Sequence, residues 1–253
     1  MFVLHKSVMS NTPFLQHSVF LWGVLMAEKF HSPLIEACFK NRFFFLLVSI
    51  LSFLILSPLL RGFVGIKILL DLFLTAVFIS AIYAVSQKKY FSLIGILLAL
   101  PMLTVTWSAY FVKIPVMPLA GSCFGILFFA FMVITILLFV FEQREITLDV
   151  ISGAIVVYLL IAIMWAFIFK FMETLHPGSF VIPQGLGEET RPLFIYYSFV
   201  TITTLGYGDI TPLTDVARSF SILEAVVGQI YLVVLIARLV GTHIAQSMNR
   251  NSR

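Results

Sequence analysis

Six stretches of this chain run for about twenty residues each with little or no charge: Phe43 to Leu60, Val64 to Val85, Phe91 to Val112, Leu119 to Phe141, Gly153 to Met172 and Ala217 to Val240. A hydrocarbon core of about 30 Å takes roughly 20 apolar residues of helix to cross, so each run is long enough to span a bilayer. Lipid offers backbone amides no hydrogen-bond partner, so each run must be a helix that satisfies its own. Composition agrees: 60% of the 253 residues are hydrophobic and 11% charged, with a mean hydropathy of +1.07 that no ordinary soluble domain reaches. The chain reads as an all-α integral membrane protein.

Charge and reactive side chains narrow the function classes. The 16 Lys and Arg against 12 Asp and Glu leave a formal charge of +4, an excess suited to anchoring loops at a membrane surface rather than to gripping nucleic acid. Cys38 and Cys123 read as two unpaired thiols, with no disulfide framework or metal knuckle. The five histidines, His5, His17, His31, His176 and His243, are scattered, and no HExxH, GxSxG or phosphate-loop pattern occurs, so an enzyme is not expected and no cofactor is called for.

Between the fifth and sixth runs lies Pro192 to Thr203, too short to span and opening on a proline where a helix best accepts one. It reads as a re-entrant helix, followed at once by TITTLGYGDITP, Thr201 to Pro212. Irregular backbone at membrane depth is tolerated where it lines a cavity or is buried in protein. In an extended strand successive carbonyls point to opposite sides, so a segment that aims them all at one axis needs alternate residues at positive φ, the region glycine enters without penalty. Gly206 and Gly208 supply those positions, Thr204, Leu205 and Tyr207 are expected to keep ordinary dihedrals, and the Thr204 hydroxyl adds one more oxygen below the carbonyls.

TTLGYGD resembles the selectivity filter of the potassium channel family, whose TVGYGD pattern has valine where Leu205 stands. The resemblance covers about Gly153 to Val240 as outer helix, pore helix, filter and inner helix. It implies K+ as the permeant ligand, held by Thr204, Leu205, Gly206 and Tyr207, with Gly208 completing the ion-binding filter and Asp209 at the outer mouth. Tyr196 and Tyr197 stand where many members place a pair of aromatics that brace the filter, and Val200 stands where some have a buried glutamate. Gly228 occupies the place of a hinge glycine, although in membranes such a residue is about as often a close-packing one. Glu224, an acid deep in an apolar helix, is costly there and so reads as functional, hydrogen-bonded behind the filter. One filter per chain implies a six-helix homotetramer in the lipid bilayer. The alternatives are a potassium transporter subunit, whose relatives carry several degenerate loops in one chain, or a non-conducting regulatory channel subunit, which a damaged filter would signal.

With Asp209 outside, the N and C termini fall in the cytoplasm of a multi-pass protein of the cell membrane, plasma or bacterial inner. Lys6, Lys29, Lys40, Arg42, Lys88, Lys89 and Arg144 then lie inside, against Arg61, Lys67, Lys113 and Arg191 outside. The expected divisions are residues 1–42, an N-terminal segment whose Phe14 to Met26 forms an interfacial helix rather than a signal peptide; 43–141, a four-helix domain; 142–152, an interfacial linker; 153–240, the pore; and 241–253, a short cytoplasmic tail without room for a regulatory domain. From Ile114 to Phe141 the fourth helix has no lysine or arginine, so steep voltage gating is not expected. Lys67 and Asp71 read as a local pair. Glu188 and Glu189 in the outer loop are placed to concentrate cations, and His176 reads as a solvated loop residue.

Overall fold

The computed structural model describes residues 42–59, 66–85, 89–108, 111, 117–143, 145–182 and 190–251. Within them each predicted apolar run falls on a helix, except that the third ends at Ser108 with Phe111 in a turn: α1 Arg42–Leu59, α2 Ile66–Val85, α3 Lys89–Ser108, α4 Met117–Glu142, α5 Leu148–Leu175 and α7 Asp215–Asn251, with the short α6 Thr190–Ile202 between the last two. Four stretches, Tyr90–Ser108, Met117–Glu142, Leu148–Leu175 and Asp215–Met248, are long and apolar enough to cross a membrane. The chain is a multi-pass, all-α membrane protein. Residues 1–41, with the expected interfacial helix, Cys38 and three of the histidines, lie outside the described residues, as do Arg61, Lys88, Lys113, Arg144, Glu188, Glu189 and the side chains of Lys67, Lys89, Arg191 and His243.

Helix α5 is the centre of the packing and touches α1, α4, α6 and α7. It begins earlier than its apolar run because Thr147 caps it: the Thr147 hydroxyl accepts from Val150 N at 3.3 Å, and Asp149 sits in the first turn, where a negative charge meets the positive end of the helix. Of the expected linker, residues 142–152, the first ends α4, 143 and 145–147 are non-helical, and 148–152 open α5. Small residues set the helix spacing. A Cβ on Gly125 of α4 would lie 2.7 Å from the Phe167 ring of α5, so that aromatic side chain rests on bare backbone.

Two clusters tie the ends of these helices together. Asp149 accepts from Phe43 N at 3.0 Å and lies 3.9 Å from the Arg42 guanidinium, which stacks over the Phe139 ring at 4.6 Å. Arg238 of α7 donates to the carbonyls of Val140, Phe141 and Gln143 at the end of α4, and its guanidinium covers the Phe141 ring at 4.5 Å. Those carbonyls are the ones a helix leaves unpaired at its negative end, where a cation is favoured.

Helix α7 also outruns its apolar stretch. Thr214 caps its start, accepting from Ala217 N at 3.3 Å, and the helix continues through residue 251, so the expected tail is helical there. Two short strands, β1 Phe180–Val181 and β2 Thr211–Pro212, pair antiparallel and join the loop after α5 to the chain leaving the filter segment. Glu173 prepares that loop by accepting from Gly178 N at 2.9 Å and Phe180 N at 3.1 Å, and His176 caps the end of α5.

Candidate ion-conduction segment

The segment after α6 is built by alternation. Thr204 has φ 59°, Gly206 58° and Gly208 78°, with Leu205 and Tyr207 between them on the ordinary side. The expectation that Thr204 keeps an ordinary dihedral is corrected: the alternation needed to keep successive carbonyls on one side extends to it. A non-glycine residue enters this region at a cost of about 1–2 kcal/mol, and local bonds hold it there. Thr204 N donates to Thr201 O at 2.9 Å, and its hydroxyl donates to Thr203 O at 2.7 Å. Residues 203–209 are all exposed in the single chain, Leu205 at 55% and Tyr207 at 67% despite their apolar bulk.

The pore helix spans Thr190–Ile202 rather than Pro192 to Thr203, with Pro192 still in the first turn, where its missing N–H breaks no bond. Its C-terminal end turns directly into the filter segment. Val200 O accepts from both Leu205 N, at 2.9 Å, and Gly206 N, at 3.2 Å, so the backbone of the position that carries a glutamate in some potassium channels holds the segment here.

The two tyrosines of the pore helix diverge. Tyr196 donates to Asp209 at 2.7 Å, and Asp209 also accepts from Ile210 N at 3.0 Å. The hydrogen bond to Asp209 pushes the Tyr196 hydroxyl up to about 12, so the donor keeps its proton through the physiological range. Bonding of this kind stabilises the fold in full below the ordinary tyrosine value and is lost only as pH rises through the shifted one. Tyr197 faces away from the filter: its hydroxyl lies 2.7 Å from that of Ser221 on α7, and its ring packs against Phe169 at 5.0 Å. It braces the pore helix against its neighbours.

Behind the segment, Glu224 has no exposed surface and is hydrogen-bonded to the Ser198 hydroxyl, which also reaches Ala162 O at 2.6 Å. One polar knot thus joins α5, α6 and α7. Gly228 lies where α7 meets the end of α6, and a Cβ there would stand 2.9 Å from Ile202 O. Close packing is accordingly its visible role. Ser198, Ser221, Tyr158, Tyr231 and Arg238 carry contacts that the motif alone did not reveal. The one signal in the sequence was spacing: Tyr231 follows Gly228 by three residues and so shares its face.

Residues 153–243 match the family described as ion channel. The segment that carries TTLGYGD is thus similar to that family. The likeness to the potassium channel family carried by TTLGYGD lies inside this segment. Two pore potassium channel c of Oryza sativa subsp. japonica is 38% identical over 66 residues, which is 25% of this chain. The match spans only 14% of that relative's length. No solved structure matches the chain.

Proposed function

We propose that this channel is selective for K+. The observation that carries the reading is the positive φ at Thr204, Gly206 and Gly208, which lets the carbonyls from Thr204 to Gly208 face one side of the backbone. Four such segments around an axis form stacked oxygen cages that replace the hydration shell of a cation. The similarity to a protein named as a potassium channel supports the choice of ion. The Thr204 hydroxyl bonds Thr203 O within the chain, so it faces the ion pathway with its lone pairs rather than its proton.

The working unit is a homotetramer of six-span subunits in a cell membrane, with N and C termini in the cytoplasm. A single filter segment per chain cannot surround an ion, and α7 offers apolar side chains such as Ile222, Val226, Ile230 and Val233 to neighbours or lipid. Conduction is passive and not steeply dependent on voltage, since α4 carries no lysine or arginine. The test is flux into liposomes holding the purified full chain, with opposed potassium and sodium gradients. Potassium and rubidium uptake is expected to exceed sodium uptake strongly; equal rates would remove the potassium assignment.

A further inference from the structure

Any α-helix ends with four carbonyls that have no partner inside it. For α6 the following chain meets three of them: Phe199 O accepts from Thr203 N at 3.2 Å and from its hydroxyl at 2.6 Å, Val200 O from Leu205 and Gly206, and Thr201 O from Thr204 N. The fourth, Ile202 O, belongs to a residue with no exposed surface, and the Tyr158 hydroxyl of α5 donates to it at 3.2 Å.

Tyr158 is itself held. Its ring stacks on Tyr231 of α7 with centroids 6.0 Å apart and planes inclined by 22°. The Tyr231 hydroxyl donates to Ala154 O at 2.6 Å, one turn before Tyr158 on the same helix. Gly228, on the same face of α7 as Tyr231, lies against Ile202. A phenol from α5 and bare backbone from α7 therefore meet at one buried carbonyl, two residues before Thr204.

We propose that Tyr158 is a positioning residue of the conduction pathway: its hydroxyl fixes the peptide between Ile202 and Thr203, and Tyr231 holds it in register with α7. Rotation of that peptide changes ψ of Ile202 and φ of Thr203 together, and the alternation that begins at Thr204 starts from the wrong plane. Without the phenol, the native orientation leaves a buried acceptor unpaired, and its population falls by about tenfold relative to rotated forms.

The proposal rests on the potassium reading, and one experiment separates the two. Radioactive rubidium and sodium uptake is measured in liposomes for the wild-type chain, Tyr158→Phe, Tyr231→Phe and, as a control, Tyr90→Phe, whose side chain is exposed. In Tyr158→Phe the rubidium-to-sodium ratio should fall about five- to tenfold while the oligomer elutes as the wild type does; Tyr90→Phe should leave the ratio unchanged. A merely structural role would lower assembly or thermal stability instead, and an unchanged ratio in an intact oligomer overturns the proposal. Should Tyr158→Phe not assemble, Tyr231→Phe decides: it keeps the ring pair, loses the Ala154 bond, and should lower the ratio about two- to threefold. A wild-type ratio in assembled Tyr231→Phe then overturns the proposal. If the wild-type chain passes both ions equally, the potassium reading fails by itself. Tyr158 is then judged on rubidium flux per oligomer: a five- to tenfold fall supports it, and an unchanged flux overturns it.

Discussion

Nothing lies within 4 Å of the place where a Cβ on Gly206 would stand, so in this chain a methyl group there meets open space. The penalty of Gly206→Ala is therefore one of backbone: φ 58° costs an L-residue about 1–2 kcal/mol, repeated in each subunit. The variant is expected to assemble and lose selective conduction, and an alanine channel that still favours rubidium over sodium would count against the carbonyl geometry. Glycine announces such positions, and for that reason Gly206 and Gly208 were legible in the sequence. Thr204 was not. Its side chain is compatible with the ordinary region, and only the hydrogen bonds to Thr201 O and from its own hydroxyl to Thr203 O account for its left-handed backbone. The split of Tyr196 and Tyr197 was equally hidden, because adjacent residues on a helix point about 100° apart and motif likeness treats them as a pair.

Among the elements, two glycines make different kinds of test. On Gly125 a methyl group would press on the Phe167 ring, and on Gly228 it would press on the Ile202 side chain and also on backbone, at 2.9 Å from Ile202 O. Overpacking costs about 1–3 kcal/mol where neighbours must shift. Gly125→Ala is expected to lower the thermal midpoint of the detergent-solubilised protein while leaving ion preference unchanged, since the buried Phe167 ring it meets packs between α4 and α5 and not against the end of α6. Gly228→Ala is expected to alter ion preference as well, because the carbonyl it displaces precedes the filter segment. Equal rubidium-to-sodium ratios in the two variants would show that the end of α6 is not the sensitive contact. Apolar runs made the long helices readable, since lipid leaves the backbone no other choice. The helix ends were less readable, because caps such as Thr147 and Thr214 extend a helix past its apolar stretch into charged sequence. The two-residue strands β1 and β2 left no pattern long enough to recognise.

For the molecule as a whole, the prediction concerns voltage. Moving one elementary charge through 100 mV is worth about 2.3 kcal/mol, and steep gating takes about three to four such charges in each subunit. The fourth helix supplies none. Single-channel recording in a planar bilayer is expected to show an open probability that changes little between strongly negative and strongly positive potentials; a steep sigmoidal activation curve would refute this. Crosslinking in detergent should yield four subunits, and a conducting monomer would be incompatible with one filter segment per chain. What the first four helices contribute was not legible from their apolar sequence, but Arg238 gives one answer. A shortened chain beginning at Glu145 would keep the filter and lose the carbonyls of Val140, Phe141 and Gln143. Its guanidinium would then have to hunt for oxygen among lipid headgroups. To that one arginine, the end of the fourth helix is what water is to a charge on a soluble protein: a solvent, carried by the same chain.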